Sequence, residues 1–292
     1  MKTLLTRRLS FLFCLLTALS CTQNIDFVDP FIGTDYNGHT FPCACYPLGY
    51  IQAGPTTGMQ GWDYCSGYRY TDTLMLGFTQ TRLNGTGCAD LGDLLVMPYT
   101  SACRDNYASL MDKSSEKATP GYYSIHLTEN AVTTEITCSP HVAFYRFTYD
   151  GHLRNLYLDF NSIVGYNRIL SSDVKVLDNN CIEGCLQAQG WVNRKYCFAI
   201  CLDTDFASLD TLATDESLNA PRYVLHFREA GQPVQMKIAL STVSTEGAWE
   251  NMRAEVPGWR FSSVFGKARD EWKKVLSLID IEGSDSQKTN FY

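Results

Sequence analysis

The chain is predicted to be all-β, a large antiparallel sandwich of two packed sheets closed by a C-terminal helix. Three observations predict this. Short apolar runs alternate with period two. Turn residues interrupt them at spacings of about 8–15 residues. Only after position 245 does the apolar spacing become helical.

The first twenty residues are read as a signal peptide. Lys2, Arg7 and Arg8 form a positive start, and the apolar run from Phe11 to Leu19 is too short to span a bilayer. Ala18-Leu19-Ser20-Cys21 resembles a bacterial lipoprotein cleavage box, which would make Cys21 the lipidated first residue of the mature chain. The expectation is an exported protein, periplasmic or an outer-membrane lipoprotein, touching membrane only through that lipid anchor. Plain secretion is the alternative.

From Asp26 to about Pro98, Gly, Thr, Tyr and Asp surround short apolar stretches such as 74–78 and 94–97, the pattern of strands joined by long structured loops. Strands are clearer at 123–127, 131–137, 142–149, 155–160, 174–176, 181–188 and 191–203, with turns at Asp150-Gly151, Asp178-Asn179-Asn180 and Gln189-Gly190. Two more are expected at 222–228 and 234–241, then a helix over 246–255. From Phe261 onward, Val264, Phe265, Ala268, Trp272, Val275, Leu276 and Ile279 recur at helical spacing, predicting about 15 helical residues. Residues 279–282 read as a short strand, and 283–287 as a linker or helix start.

A formal net charge of −7 with no Lys/Arg cluster after the leader argues against nucleic acid and anionic membrane surfaces as partners. Of twelve cysteines, Cys14 and Cys21 belong to the leader and cleavage site, leaving ten, too few for a disulfide scaffold of this size. Cys181/Cys185 and Cys197/Cys201 have the paired look of a zinc site. In a strand, however, positions i and i+4 share a face, so core packing explains the second pair without metal, and one or more disulfides suit an oxidising compartment.

Several ordered motifs carry a resemblance. Val28-Asp29-Pro30-Phe31-Ile32-Gly33-Thr34 and Gly38-His39-Thr40-Phe41-Pro42 open the mature chain; Gly61 to Tyr68 and Asn84 to Asp93 follow; then come Pro120-Gly121-Tyr122-Tyr123, Ser241-Thr242-Val243-Ser244 and Lys288-Thr289-Asn290-Phe291-Tyr292. Together they resemble glycoside hydrolase family 92, the calcium-dependent exo-α-mannosidases. Cys43-Ala44-Cys45 and Met111 to Ser115 depart from the family pattern. The resemblance implies domains at 1–20 (signal peptide), 21–260 (N-terminal β-sandwich) and 261–292 (linker helix and start of a truncated helical catalytic domain). It implies an inverting hydrolysis of terminal α-mannose on N-glycans, with acid, base and calcium held by a helical domain beyond position 292. No catalytic residue, cofactor or metal site is therefore assigned to this chain, which is expected to be inactive alone. Its partners would be an α-mannoside glycan and the helical catalytic domain, missing or a separate chain. A stand-alone carbohydrate-binding module is the alternative.

Within that frame, Trp62 offers an apolar ring face and an N–H edge to a sugar, and Asp63 can accept from its hydroxyls. The resemblance implies that their loop and the Gly85-Thr86-Gly87-Cys88 loop face the interdomain cleft; core packing of Trp62 is the competing reading. His39 suits a sugar or interdomain contact, or a purely structural hydrogen bond. Cys65 and Cys88 are read as a disulfide pinning the two loops, or as buried thiols. Asp90 and Asp93 read first as turn-capping or buried hydrogen-bonded groups, like Asp63 and Asp72 in their Gly-rich loops.

Overall fold

The computed structural model describes residues 23–102, 106–166, 168–191, 193–212, 218–228 and 233–292. The leader and Cys21 lie outside the described residues. In chain order the strands are β1 (Ala44–Cys45), β2 (Gln52–Thr56), β3 (Leu74–Met75), β4 (Gly77–Thr79), β5 (Leu95–Tyr99), β6 (Ser109–Thr119), β7 (Tyr122–Leu127) and β8 (Val132–Cys138). They continue with β9 (Val142–Tyr149), β10 (Arg154–Asp159), β11 (Arg168–Val176), β12 (Cys181–Gln189), β13 (Arg194–Leu202), β14 (Phe206–Thr211), β15 (Arg222–Phe227) and β16 (Val234–Ser241). Three helices follow: α1 (Thr245–Glu255), α2 (Phe261–Leu276) and α3 (Asp285–Phe291).

Two antiparallel sheets form the expected sandwich. One runs β1-β2-β4-β5-β10-β15-β14, the other β11-β12-β13-β16-β9-β8-β7-β6-β3. Alternation explains the packing. In β12, Ile182, Leu186 and Ala188 point inward, and they meet Phe78, Leu156, Leu158 and Leu225 of the facing sheet in one core. The outward residues of the second sheet are also covered at its centre, because Val142, Phe144, Ala199 and Ala239 pack against Ala248 and Met252 of α1 and Phe261 and Val264 of α2. That second buried layer is why these strands read as continuous apolar runs. Ser244 caps α1 through the Gly247 amide, and Trp272 fastens α2 by donating its indole N–H to the Cys45 carbonyl at 2.8 Å.

Several expectations are corrected. Residues 279–282 form no strand; they bridge α2 to α3, which Ser284 and Gln287 start with a capping box. Strands β6 and β14 were not anticipated, since β6 carries Asp112, Lys113, Ser114, Ser115 and Glu116 across a register shift that breaks its alternation. The four paired cysteines are neither zinc ligands nor simple core residues. Register places Cys181 opposite Cys201 and Cys185 opposite Cys197, and both pairs are cross-strand disulfides on the outer face of β12–β13.

Candidate functional site

Short strands in the first third of the chain leave long loops, and three of these converge: residues 33–43, 57–68 and 80–94. Arg82 is the buried post on which they meet. Its guanidinium donates to the Ser66 carbonyl (2.9 Å), the Gly54 carbonyl (2.7 Å) and the Thr56 hydroxyl (2.6 Å), and it lies over the Phe41 ring. Burial pulls its pKa down to about 10, so it stays charged at neutral pH, held by three oxygens. Arg82 also bridges to Leu91, closing the loop that carries Gly85, Thr86, Gly87 and Cys88.

On this base the structure brings His39, Trp62 and the 85–88 loop together. The Gly85 amide donates to the His39 carbonyl (2.8 Å), and the His39 ring sits edge-on to Trp62 with centroids 4.3 Å apart. His39 holds a left-handed backbone (φ +50°), a conformation costly for a non-glycine residue. Its Nδ1 lies 2.7 Å from the Thr86 carbonyl, an acceptor only, so Nδ1 carries a hydrogen. Nε2 is buried and has no hydrogen-bond partner among the described residues. In a residue only 5% exposed, that leaves one ring nitrogen with unmet hydrogen-bonding capacity beside the Trp62 ring.

Trp62 starts a short 3-10 helix after Gly61 and is 53% exposed, so its ring is not core packing. Gly87 lies close under the indole, where a Cβ would stand 3.2 Å from the Trp62 indole nitrogen. Asp63 is exposed and pairs with Arg69 at 3.7 Å. The expected Cys65–Cys88 bridge is not formed: both are free thiols, and the Cys65 thiol donates instead to the Trp62 carbonyl at 2.9 Å, bracing the 3-10 turn. Both cysteines nevertheless border one cavity of about 330 Å³ together with Trp62 and Gly87.

That cavity also has walls which sequence reading missed. Gly165, Tyr166 and Trp191 line it, from the β10–β11 and β12–β13 connections. Behind them, Arg194 donates to Asp90 (2.8 Å) and Asp93 (2.7 Å), joining the β13 start to the 90–93 turn. Burial pushes the Asp93 carboxyl up, opposed by Arg194 and the Thr81 hydroxyl, and Asp90 also accepts from the Leu91 and Trp191 amides. Both carboxylates are thus structural, and Asp72 accepts from the Tyr64 hydroxyl at 3.4 Å. Among the described residues no three His, Cys, Asp or Glu side chains are grouped to hold a metal ion. Among the described residues no helix is long and apolar enough to cross a membrane.

Residues 27–241 match the glycosyl hydrolase family 92 N-terminal domain, and residues 247–292 match the family 92 catalytic domain. The structure is similar to that of a family GH92 alpha-mannosidase from Bacteroides thetaiotaomicron, with TM-score 0.86 and 28% identity over 92% of this chain and 40% of that one. It is similar also to the same enzyme in complex with mannoimidazole, with TM-score 0.85 and 28% identity over 92% and 39% of the two chains. An uncharacterized secreted glycosidase of Arthroderma benhamiae is 25% identical, over 88% of this chain and 38% of its own length. The chain therefore spans about two fifths of the length of these relatives. By the extent of its match to the N-terminal domain, this chain belongs to glycosyl hydrolase family 92.

Proposed function

We propose that this chain forms the β-sandwich wall of an α-mannoside pocket in an exo-acting mannosidase that removes terminal α-mannose from N-glycans. The carrying observation is the pair formed by Trp62 and the unpartnered His39 Nε2, an apolar face beside a buried polar atom. A hexose hydroxyl donates to Nε2 while the ring's C–H surface covers the indole, and Asp63 at the rim accepts from a neighbouring hydroxyl. Mannoimidazole bound to a related enzyme supports the sugar class.

Hydrolysis needs a proton donor and a water-activating base on opposite sides of the glycosidic bond. Behind the cavity Asp90 and Asp93 are committed to Arg194, and Asp63 is an exposed carboxylate facing Arg69 across 3.7 Å. Acid and base therefore come from a helical domain docked over the cleft, as does any calcium site, and the chain binds without hydrolysing. Export fits the two disulfides, which require an oxidising compartment, and the secreted relative; Cys21 would carry the lipid.

The test is calorimetric titration of the purified chain with methyl α-mannoside, alongside an assay for released mannose. Millimolar binding is expected, lost at least tenfold in Trp62→Ala and in His39→Phe, with no mannose released. Release of mannose by the chain alone, or binding untouched by both substitutions, refutes the reading.

A further inference from the structure

The cavity continues past Trp62 to two aromatic residues that are far more exposed than their neighbours: Tyr166 at 90% and Trp191 at 72%. We propose that Tyr166 and Trp191 form a second carbohydrate subsite, stacking the sugar to which the terminal mannose is attached. The proposal rests on the reading of the Trp62–His39 pocket as the terminal-mannose site.

Both side chains stand on backbone held by several independent ties. The Trp191 amide donates to Asp90 at 2.8 Å, and Arg194, three residues on, clamps Asp90 and Asp93. Gly190, immediately before Trp191, admits no side chain, since a Cβ would fall 2.4 Å from the Asp90 carboxylate. Tyr166 follows Gly165, whose amide donates to the Met59 carbonyl (2.6 Å) and whose carbonyl accepts from the Gln60 side chain (2.7 Å). Gly165 has φ +87°, and a Cβ there would come within 2.8 Å of the Ala89 Cβ. The segments that orient Tyr166 and Trp191, at 59–60 and 89–90, are thus the same two loops that carry Trp62 and Cys88.

The chemistry of the wall names its occupant. An indole and a phenol ring left in water keep a large apolar area hydrated, and a ligand that covers them recovers that burial. Among the described residues no charged one lines the cavity, so the wall selects neither anions nor cations. A ligand with apolar ring faces, hydroxyl edges and no charge fits, and continuity with the Trp62 pocket makes it the next pyranose of the same glycan.

The experiment compares methyl α-mannoside with an α-linked mannobiose by calorimetric titration of the full chain, of Trp191→Ala and of Tyr166→Ala. Circular dichroism and melting temperature check that each variant is folded. In the unaltered chain the disaccharide should bind about tenfold more tightly than the monosaccharide. Each substitution should cut that advantage to threefold or less, weakening the disaccharide more than the monosaccharide. If the monosaccharide binds but the disaccharide gains nothing, or the gain survives both substitutions, the second subsite is refuted and the Trp62 pocket stands. If neither sugar binds, the pocket reading fails and this proposal fails with it.

Discussion

Replacing Arg194 by Met keeps the aliphatic stem and removes both charged bonds to Asp90 and Asp93. The two carboxylates are then left in sites where they are 6% and 0% exposed. Breaking a buried pair by deleting one partner costs about 3–5 kcal/mol, because the remaining charge keeps its desolvation penalty. For a domain of this size that corresponds to a fall in melting temperature of roughly 6–20 °C. The loss should depend on pH in a definite sense. Burial raises the Asp93 carboxyl above its unfolded value of 3.8 even with Arg194 present, so the folded state binds that proton more tightly, and stability falls as pH rises through the window between the two values. Without the guanidinium the opposing pull is gone, the carboxyl moves further up, and the window extends toward neutral. Thermal denaturation of both proteins at pH 7.5 and pH 5.0 is the assay. The gap in melting temperature should be larger at pH 7.5, where Asp93 must be charged, and partly relieved at pH 5.0. A gap below about 3 °C at both pH values, or one that widens in acid, would show that this network is not what anchors the β13 start.

Gly121 has φ +80°, and a Cβ there would stand 2.8 Å from the Ala268 Cβ of α2. Gly121→Ala should therefore cost about 2–4 kcal/mol from backbone strain and overpacking, read as a lower urea midpoint; an unchanged midpoint would mean that α2 yields freely. The disulfide from Cys181 to Cys201 closes a separation of 20 residues, so removing both cysteines should lower stability by about 3 kcal/mol, and an equal melting temperature in reduced and oxidised protein would contradict this.

Period-two alternation was enough to read the sandwich core, because inward residues such as Ile182, Leu186 and Ala188 of β12 share one face whatever lies opposite. The same alternation hid β6, whose centre is polar and whose register shifts. Residues that build the site locally were legible for a related reason. Trp62, Gly85, Thr86, Gly87 and His39 stand in glycine-rich motifs, and the resemblance to a family drew attention to them.

Tyr166 and Trp191 had no such signal. Trp191 fell inside an apolar run read as a strand, and nothing local distinguishes an aromatic that packs from one that projects. Arg82 and Arg194 were equally silent, since an arginine becomes a buried post only when oxygens far away in the chain surround it, as Asp93 does for Arg194 across 101 residues. The cysteine pairing followed the same logic: an oxidising compartment suggested disulfides without naming partners, and strand register set Cys181 against Cys201 and Cys185 against Cys197. What the sequence by itself determined is therefore what neighbouring residues decide among themselves, the strand and helix periods, the turns and the short motifs. The cavity, its aromatic wall and the charges that hold it were decided only by the tertiary structure, because they depend on distances between segments that chain order does not encode.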